Sequence, residues 1–217
     1  MATTVAPGVR PRSQRKLVLF LIFGLLTVFV TYMKNARILD STSEIAQHFA
    51  PVKWFVIVHA FFGGLAMLLG AFQFSNRLRA RYLNTHRVLG YIYAASVFIA
   101  SPLAIPMTTR FHLPSLVAAS ATQSFGWMLT TAIAIYCVRR GNLAQHRRWM
   151  IRGYPFAMVF TVTRLFIPLP PVMRLGVDGI NMVVWTVIAA AAILPNVLLD
   201  WRAIVARPVA KPVATDR

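Results

Sequence analysis

Apolar residues in this chain come in long unbroken runs separated by short polar breaks, with none of the strict alternation that marks a half-buried strand. A helix needs about 20 mostly apolar residues to cross the hydrocarbon of a bilayer. Six stretches come close to or exceed that length: 17–33, 53–75, 86–107, 114–138, 147–168 and 180–200. The pattern predicts an all-α polytopic membrane protein, a six-transmembrane-helix bundle over residues 17–200. Residues 1–16 read as a disordered cytoplasmic N-terminus, and 201–217, with Pro208 and Pro212, as a cytoplasmic tail. No small-residue cleavage pattern follows the first run, which continues Thr31-Tyr32-Met33-Lys34, so it reads as a span and not as a signal peptide. Pro155 and Pro195 each remove a helix hydrogen bond and should kink the fifth and sixth spans.

Small and polar residues recur at helical spacing within these runs. On the second span His59, Gly63, Ala66, Gly70 and Gln73 form one stripe, and on the third His86, Gly90, Tyr93, Val97 and Ala100 form another. The fourth offers Ser120, Ser124, Trp127 and Thr131, and the sixth Asn181, Trp185, Ala189 and Ala192. These stripes predict the inward faces of the bundle. The first span has little beyond Gly24, Thr27 and Thr31, which places it at the periphery.

Composition agrees: 58% of residues are hydrophobic and only 13% charged, which excludes disorder and an ordinary soluble domain. The net charge of +18 comes from Lys and Arg at the ends of the apolar runs, with no basic helix face or aromatic-studded groove, so nucleic acid is not the partner. The basic residues act as topology signals and as contacts for anionic lipid headgroups. With both termini cytoplasmic, only Lys34, Arg37, Lys53, Arg110 and Arg174 fall on the far side. The single cysteine, Cys137, excludes an intramolecular disulfide and the CxxCH motif of covalently attached haem.

A short internal repeat is visible. Phe62-Gly63 leads to Leu83-Asn84-Thr85-His86-Arg87, and Phe125-Gly126 leads to Leu143-Ala144-Gln145-His146-Arg147. A parallel duplication of a helix pair, spans two and three repeated as four and five, would place His86 and His146 equivalently at the cytoplasmic boundary. His59 has no histidine mate; its equivalent falls near Thr122 or Gln123.

The segment from His59 to Gly70, Phe72-Gln73-Phe74, Arg77-Leu78-Arg79, His86-Arg87 and Gly90, with His146-Arg147-Arg148-Trp149-Met150-Ile151-Arg152, Tyr154 and Thr163-Arg164, resembles a bacterial family of multi-pass membrane proteins, domain of unknown function 2306. The resemblance covers about residues 50–200. It implies a multi-pass protein of the bacterial inner membrane and singles out His59, His86, His146 and Arg164, but carries no activity with it.

Two chemistries compete for these residues. His86 and His146, at one depth on alternate helices, suit the axial ligands of a b-type haem, with His59 as a further cofactor-binding candidate beside a quinone. The bland alternative makes His86 and His146 interfacial residues, with Asn84 or Thr85 as an N-cap. Arg164 is a lone charge within an apolar run, which in a bilayer costs several kcal/mol and marks function by default. Its partner is Glu44, Asp40 or Asp178 from an outer loop, backbone carbonyls, or an anionic ligand group bound in two-pronged fashion. Gln73 and Trp185 complete the expected polar interior. The readings that follow are a haem- or quinone-interacting redox protein, a non-enzymatic binder or transporter of a small amphipathic or anionic molecule, or an accessory subunit of a membrane complex. A homo-oligomer is compatible with each. No Walker, HExxH, GxSxG or dinucleotide motif is present.

Overall fold

The computed structural model describes residues 42–205 together with Phe29, Leu39 and Asp40. The expected N-terminus (1–16), the first span apart from Phe29, and the chain beyond Val205 lie outside the described residues. All the regular elements among the described residues are helical: α1 (Glu44–Phe49), a 3-10 turn (Ala50–Val52), α2 (Lys53–Gln73), α3 (Asn76–Arg81), α4 (Leu83–Thr109), α5 (Pro114–Arg139), α6 (Leu143–Phe166), α7 (Pro170–Arg174) and α8 (Gly176–Val205).

Local chemistry sets several of these boundaries. Ser43 and Ser75 cap α1 and α3 by accepting from the amides of Ala46 and Leu78. Pro114 opens α5 at a position whose amide would have no helical partner. Between α5 and α6 the chain turns at Gly141, whose φ of 74° suits glycine, and Asn142 caps α6 through the Gln145 amide. The α4 helix starts at Leu83 without a side-chain cap, so Asn84 and Thr85 lie inside its first turn and not at the expected N-cap position.

Four helices close a ring: α2 packs on α4, α4 on α5, α5 on α6, and α6 back on α2. Consecutive members run antiparallel, so His59 and Arg164 lie toward one end and His86 and His146 toward the other. Two helical hairpins side by side is the arrangement a duplicated helix pair would give. The core inside the ring contains Ala66, Tyr93, Val97, Trp127, Phe156, Ala157 and Val159. Close approach is bought with glycine: a Cβ on Gly70 would stand 2.6 Å from Tyr154 Cε2 and 2.9 Å from Tyr93 Cε2. Hydroxyls tie the helices together where hydrocarbon gives no hydrophobic drive between them. Tyr154 donates to the Met67 carbonyl (2.9 Å), Trp127 Nε1 to Tyr93 Oη (3.1 Å), and Ser124 to the Ser101 carbonyl (2.8 Å).

The fifth long helix, α8, leans on α6 and α5 from outside the ring. Its buried residues are Gly179, Val183, Ile188, Ala191 and Pro195; of the expected stripe Asn181 is half-buried, while Trp185, Ala189 and Ala192 are exposed. Trp185 is thereby corrected from the polar interior to the rim, where its Nε1 donates to Ser115 Oγ. Two polar pairs staple α8 to α6 in antiparallel register, Arg148 with Asp200 and Arg152 with Asn196. The helix runs to Val205, five residues past the expected end at 200.

Glu44–Gln73, Leu83–Thr109 and Gly176–Trp201 are long and apolar enough to cross a membrane. The α5 and α6 helices match them in length, at 26 and 24 residues, but are more polar. Serine, threonine and glutamine dilute α5, and Arg147, Arg148, Arg152 and Arg164 are written into α6. Helices α6 and α8 run unbroken through Pro155 and Pro195, and α4 through Pro102 and Pro106.

Candidate ligand-binding site

His59 stands six residues into α2, about 9 Å along its axis. Its Nδ1 lies 2.9 Å from the carbonyl oxygen of Ala100. That carbonyl lies between those of Phe98 and Pro102, the two carbonyls of α4 that Pro102 and Pro106 leave without a helical donor. Two adjacent carbonyls there take side-chain donors from neighbouring helices: Ala100 from His59 and Ser101 from Ser124.

Beside His59 is a cavity of ≈ 40 Å³, lined on α2 by His59, Ala60, Gly63, Gly64 and Met67, on α5 by Gln123 and Trp127, and on α6 by Ala157 and Phe160. A cavity needs about 10–15 Å³ on this measure to admit one water, so this one takes roughly three. The glycine stripe of α2 divides in use. Gly70 serves helix packing, whereas Gly63 and Gly64 have nothing within 4 Å of where a Cβ would stand. The lower half of the stripe is a seam and the upper half is open space.

Phe160 links the cavity to Arg164. Its ring meets the His59 ring edge-on at 6.4 Å, and the Arg164 guanidinium lies over it with Cζ 3.3 Å from the centroid. One guanidinium nitrogen, Nη1, is buried without a hydrogen-bond partner. None of the three expected carboxylates pairs with it among the described residues, where the ion pair is Arg148–Asp200. Asp40 is engaged locally, accepting from the amide and hydroxyl of Thr42. The cation–π contact supplies ~0.5–2 kcal/mol, well short of the several kcal/mol that a desolvated cation costs. Arg164 is thus a charge held at the cavity margin with donors to spare.

At the opposite end, His86 and His146 lie within electrostatic reach of each other. His146 Nδ1 donates to the Ala134 carbonyl at 2.8 Å, the orientation in which a neutral ring presents its lone pair on Nε2, as a metal-ligating histidine does. His86 differs. Oriented to satisfy its neighbours, the buried Gln73 amide donates to His86 Nδ1 (3.0 Å) and the His86 carbonyl (3.2 Å) and accepts from the Gly90 amide (3.3 Å). An imidazole that accepts at Nδ1 carries its proton on Nε2, so it offers iron no lone pair there. The pair therefore fits bis-histidine haem at one ligand and not at the other. Among the described residues no three His, Cys, Asp or Glu side chains come together, so a metal bound by such a set has no donors.

Residues 56–204 match the family model described as a predicted membrane protein, domain of unknown function 2306. The chain belongs to that family. The match spans the four-helix ring and nearly all of α8, so the cavity, Arg164 and both boundary histidines fall within the family's unit. No curated protein and no solved structure matches the chain.

Gln123 and Phe160 were missed as site residues by the sequence reading. A signal for Gln123 existed: it is an amide inside an apolar run, beside Thr122 in the part of the repeat that corresponds to His59. His59 and Gln123 line the same cavity. Phe160 had none, because one phenylalanine in an apolar run reads like any other.

Proposed function

We propose that this protein is a non-enzymatic binder or carrier of a small amphipathic anion, held within the membrane at the His59 cavity. The single observation that carries this reading is Arg164, a buried guanidinium with an unpartnered nitrogen at the margin of a partly polar cavity. A carboxylate or phosphate there would supply the missing acceptor and neutralise the charge, and guanidinium receives either in a two-pronged way. An alkyl tail would lie over the open surface of Gly63 and Gly64.

Filling that surface tests the reading. Gly63→Leu should fold as well as the parent protein, since nothing crowds the position and leucine is the better helix former. Small acidic amphiphiles retained through purification, read by mass spectrometry, should fall at least about tenfold. Unchanged retention in a folded variant would remove the cavity as the binding site.

The wider reading is a six-span protein of the bacterial inner membrane with both termini cytoplasmic, supported by ring helices that are each about a bilayer long and by the skew of Lys and Arg. Reporters fused at Arg140 and at the C-terminus should register cytoplasm, and one near Arg174 the far side. A C-terminus on the far side would invert the assignment of both ends. Haem ligation by His86 and His146 is the other reading, and the His146 tautomer is what favours it. A Soret band in protein from haem-replete cells, lost in His146→Ala, would count for it and against ours.

A further inference from the structure

We infer that the head group of the ligand carries a hydroxyl, which donates to His59 Nε2 or Gln123 Oε1 while the anionic group meets Arg164. The inference rests on the binding role proposed above and adds to it the polarity of the ligand's inner end.

The cavity's hydrogen-bonding inventory is one-sided. A carbonyl oxygen can only accept, so the 2.9 Å contact to Ala100 puts the His59 proton on Nδ1. A second proton on the ring would set two cations side by side within the membrane, next to Arg164. Nε2 is therefore a lone pair, and no described residue donates to it. Gln123 is fixed by the same logic. Its Nε2 donates to the Phe156 carbonyl at 3.0 Å, which orients the amide and leaves Oε1 with no donor among the described residues. The one N–H of Trp127 is spent on Tyr93. The rest of the lining is Ala60, Gly63, Gly64, Met67, Ala157 and Phe160, whose side chains carry no donor.

A bare carboxylate or phosphate pushed into this space would meet lone pairs. Its place is at Arg164. The group that fits between His59 and Gln123 must bring its own O–H, and an anionic amphiphile with a hydroxyl near its charged end satisfies both halves of the site. Its apolar chain then continues along the glycine surface.

Matched acids test this on the full chain in non-ionic detergent by isothermal titration. The probes are decanoate, 2-hydroxydecanoate, 3-hydroxydecanoate and the methyl ethers of both hydroxy acids. A methyl ether keeps the oxygen but has no proton to give. At least one hydroxy acid should bind about tenfold or more tightly than its own ether and than decanoate, the worth of a hydrogen bond gained in the cavity. The gap should close in His59→Leu or in Gln123→Leu. If hydroxy acids, ethers and decanoate bind alike, water serves the acceptors and the inference is overturned while the binding role stands. If none of the acids binds, the binding role itself fails. A hydroxyl preference that survives in both variants also overturns it, by placing the contact elsewhere. Should the variants fail to fold, the comparison of hydroxy acid with ether on the parent protein still decides.

Discussion

Arg164→Met should make the ligand-free protein more stable and strip it of acidic amphiphiles. The parent holds a guanidinium against Phe160 with one nitrogen buried and unpaired. An unsatisfied buried donor costs about 1–3 kcal/mol, and more when charged. Methionine keeps most of the length and the contact with the ring and removes the charge. The cation–π attraction it forfeits, at most ~2 kcal/mol, offsets only part of the gain. The net should be a rise of about 1 kcal/mol or more, read as a melting temperature a few degrees higher in detergent. Retention of acidic amphiphiles should fall about tenfold to a hundredfold, the worth of a charge-assisted hydrogen bond. The opposite sign has a definite meaning. If a loop carboxylate closes on Arg164, removing the cation would strand that carboxylate and cost about 3–5 kcal/mol. A large drop in melting temperature with unchanged bound lipid would therefore make Arg164 structural.

The same substitution should act in opposite directions at two glycines of α2. At Gly70 an added Cβ would lie 2.6 Å and 2.8 Å from Tyr154 ring carbons and 2.9 Å from Tyr93. Both rings are anchored, Tyr154 through its hydroxyl to Met67 and Tyr93 through Trp127, so neither can swing away as a flexible chain end would. Overpacking of this kind costs about 1–3 kcal/mol, and here it also opens the seam that joins α6 to α2. Gly63→Ala meets open space on the same helix and should gain roughly 0.5–1 kcal/mol from helix propensity. Thermal melts of Gly63→Ala and Gly70→Ala should move apart, upward for the first and downward for the second. A Gly70→Ala protein as stable as the parent would show that the tyrosines yield and that the seam is looser than its geometry.

These residues also divide what the chain declares in one dimension from what it does not. The run lengths determine that the protein is a bundle of long helices, because an apolar stretch of about 20 residues has few other stable fates. Helical spacing likewise picks out Ala66, Gly70, Tyr93, Val97, Ser124 and Trp127 as inward-facing, and all are buried. The lone charge of Arg164 marks its own position as special, since a cation in hydrocarbon is costly wherever it lies.

Spacing failed on α8, because the outermost helix packs on the ring along one side only, against α6 and α5, and its aliphatic and small residues are too alike for periodicity to choose a face. That choice fell to two polar pairs at its far end, Arg148 with Asp200 and Arg152 with Asn196, both at i, i+4 spacing on facing helices. The glycine stripe of α2 is uniform in sequence, and only packing makes half of it a seam and half a cavity wall. Hydrogen bonding decided the rest. His59 and His146 look interchangeable with His86 as letters, yet two donate through Nδ1 to carbonyls of another helix and one accepts from Gln73. A tautomer depends on which carbonyl or amide stands opposite the ring, and that is settled by contacts between residues up to 41 positions apart.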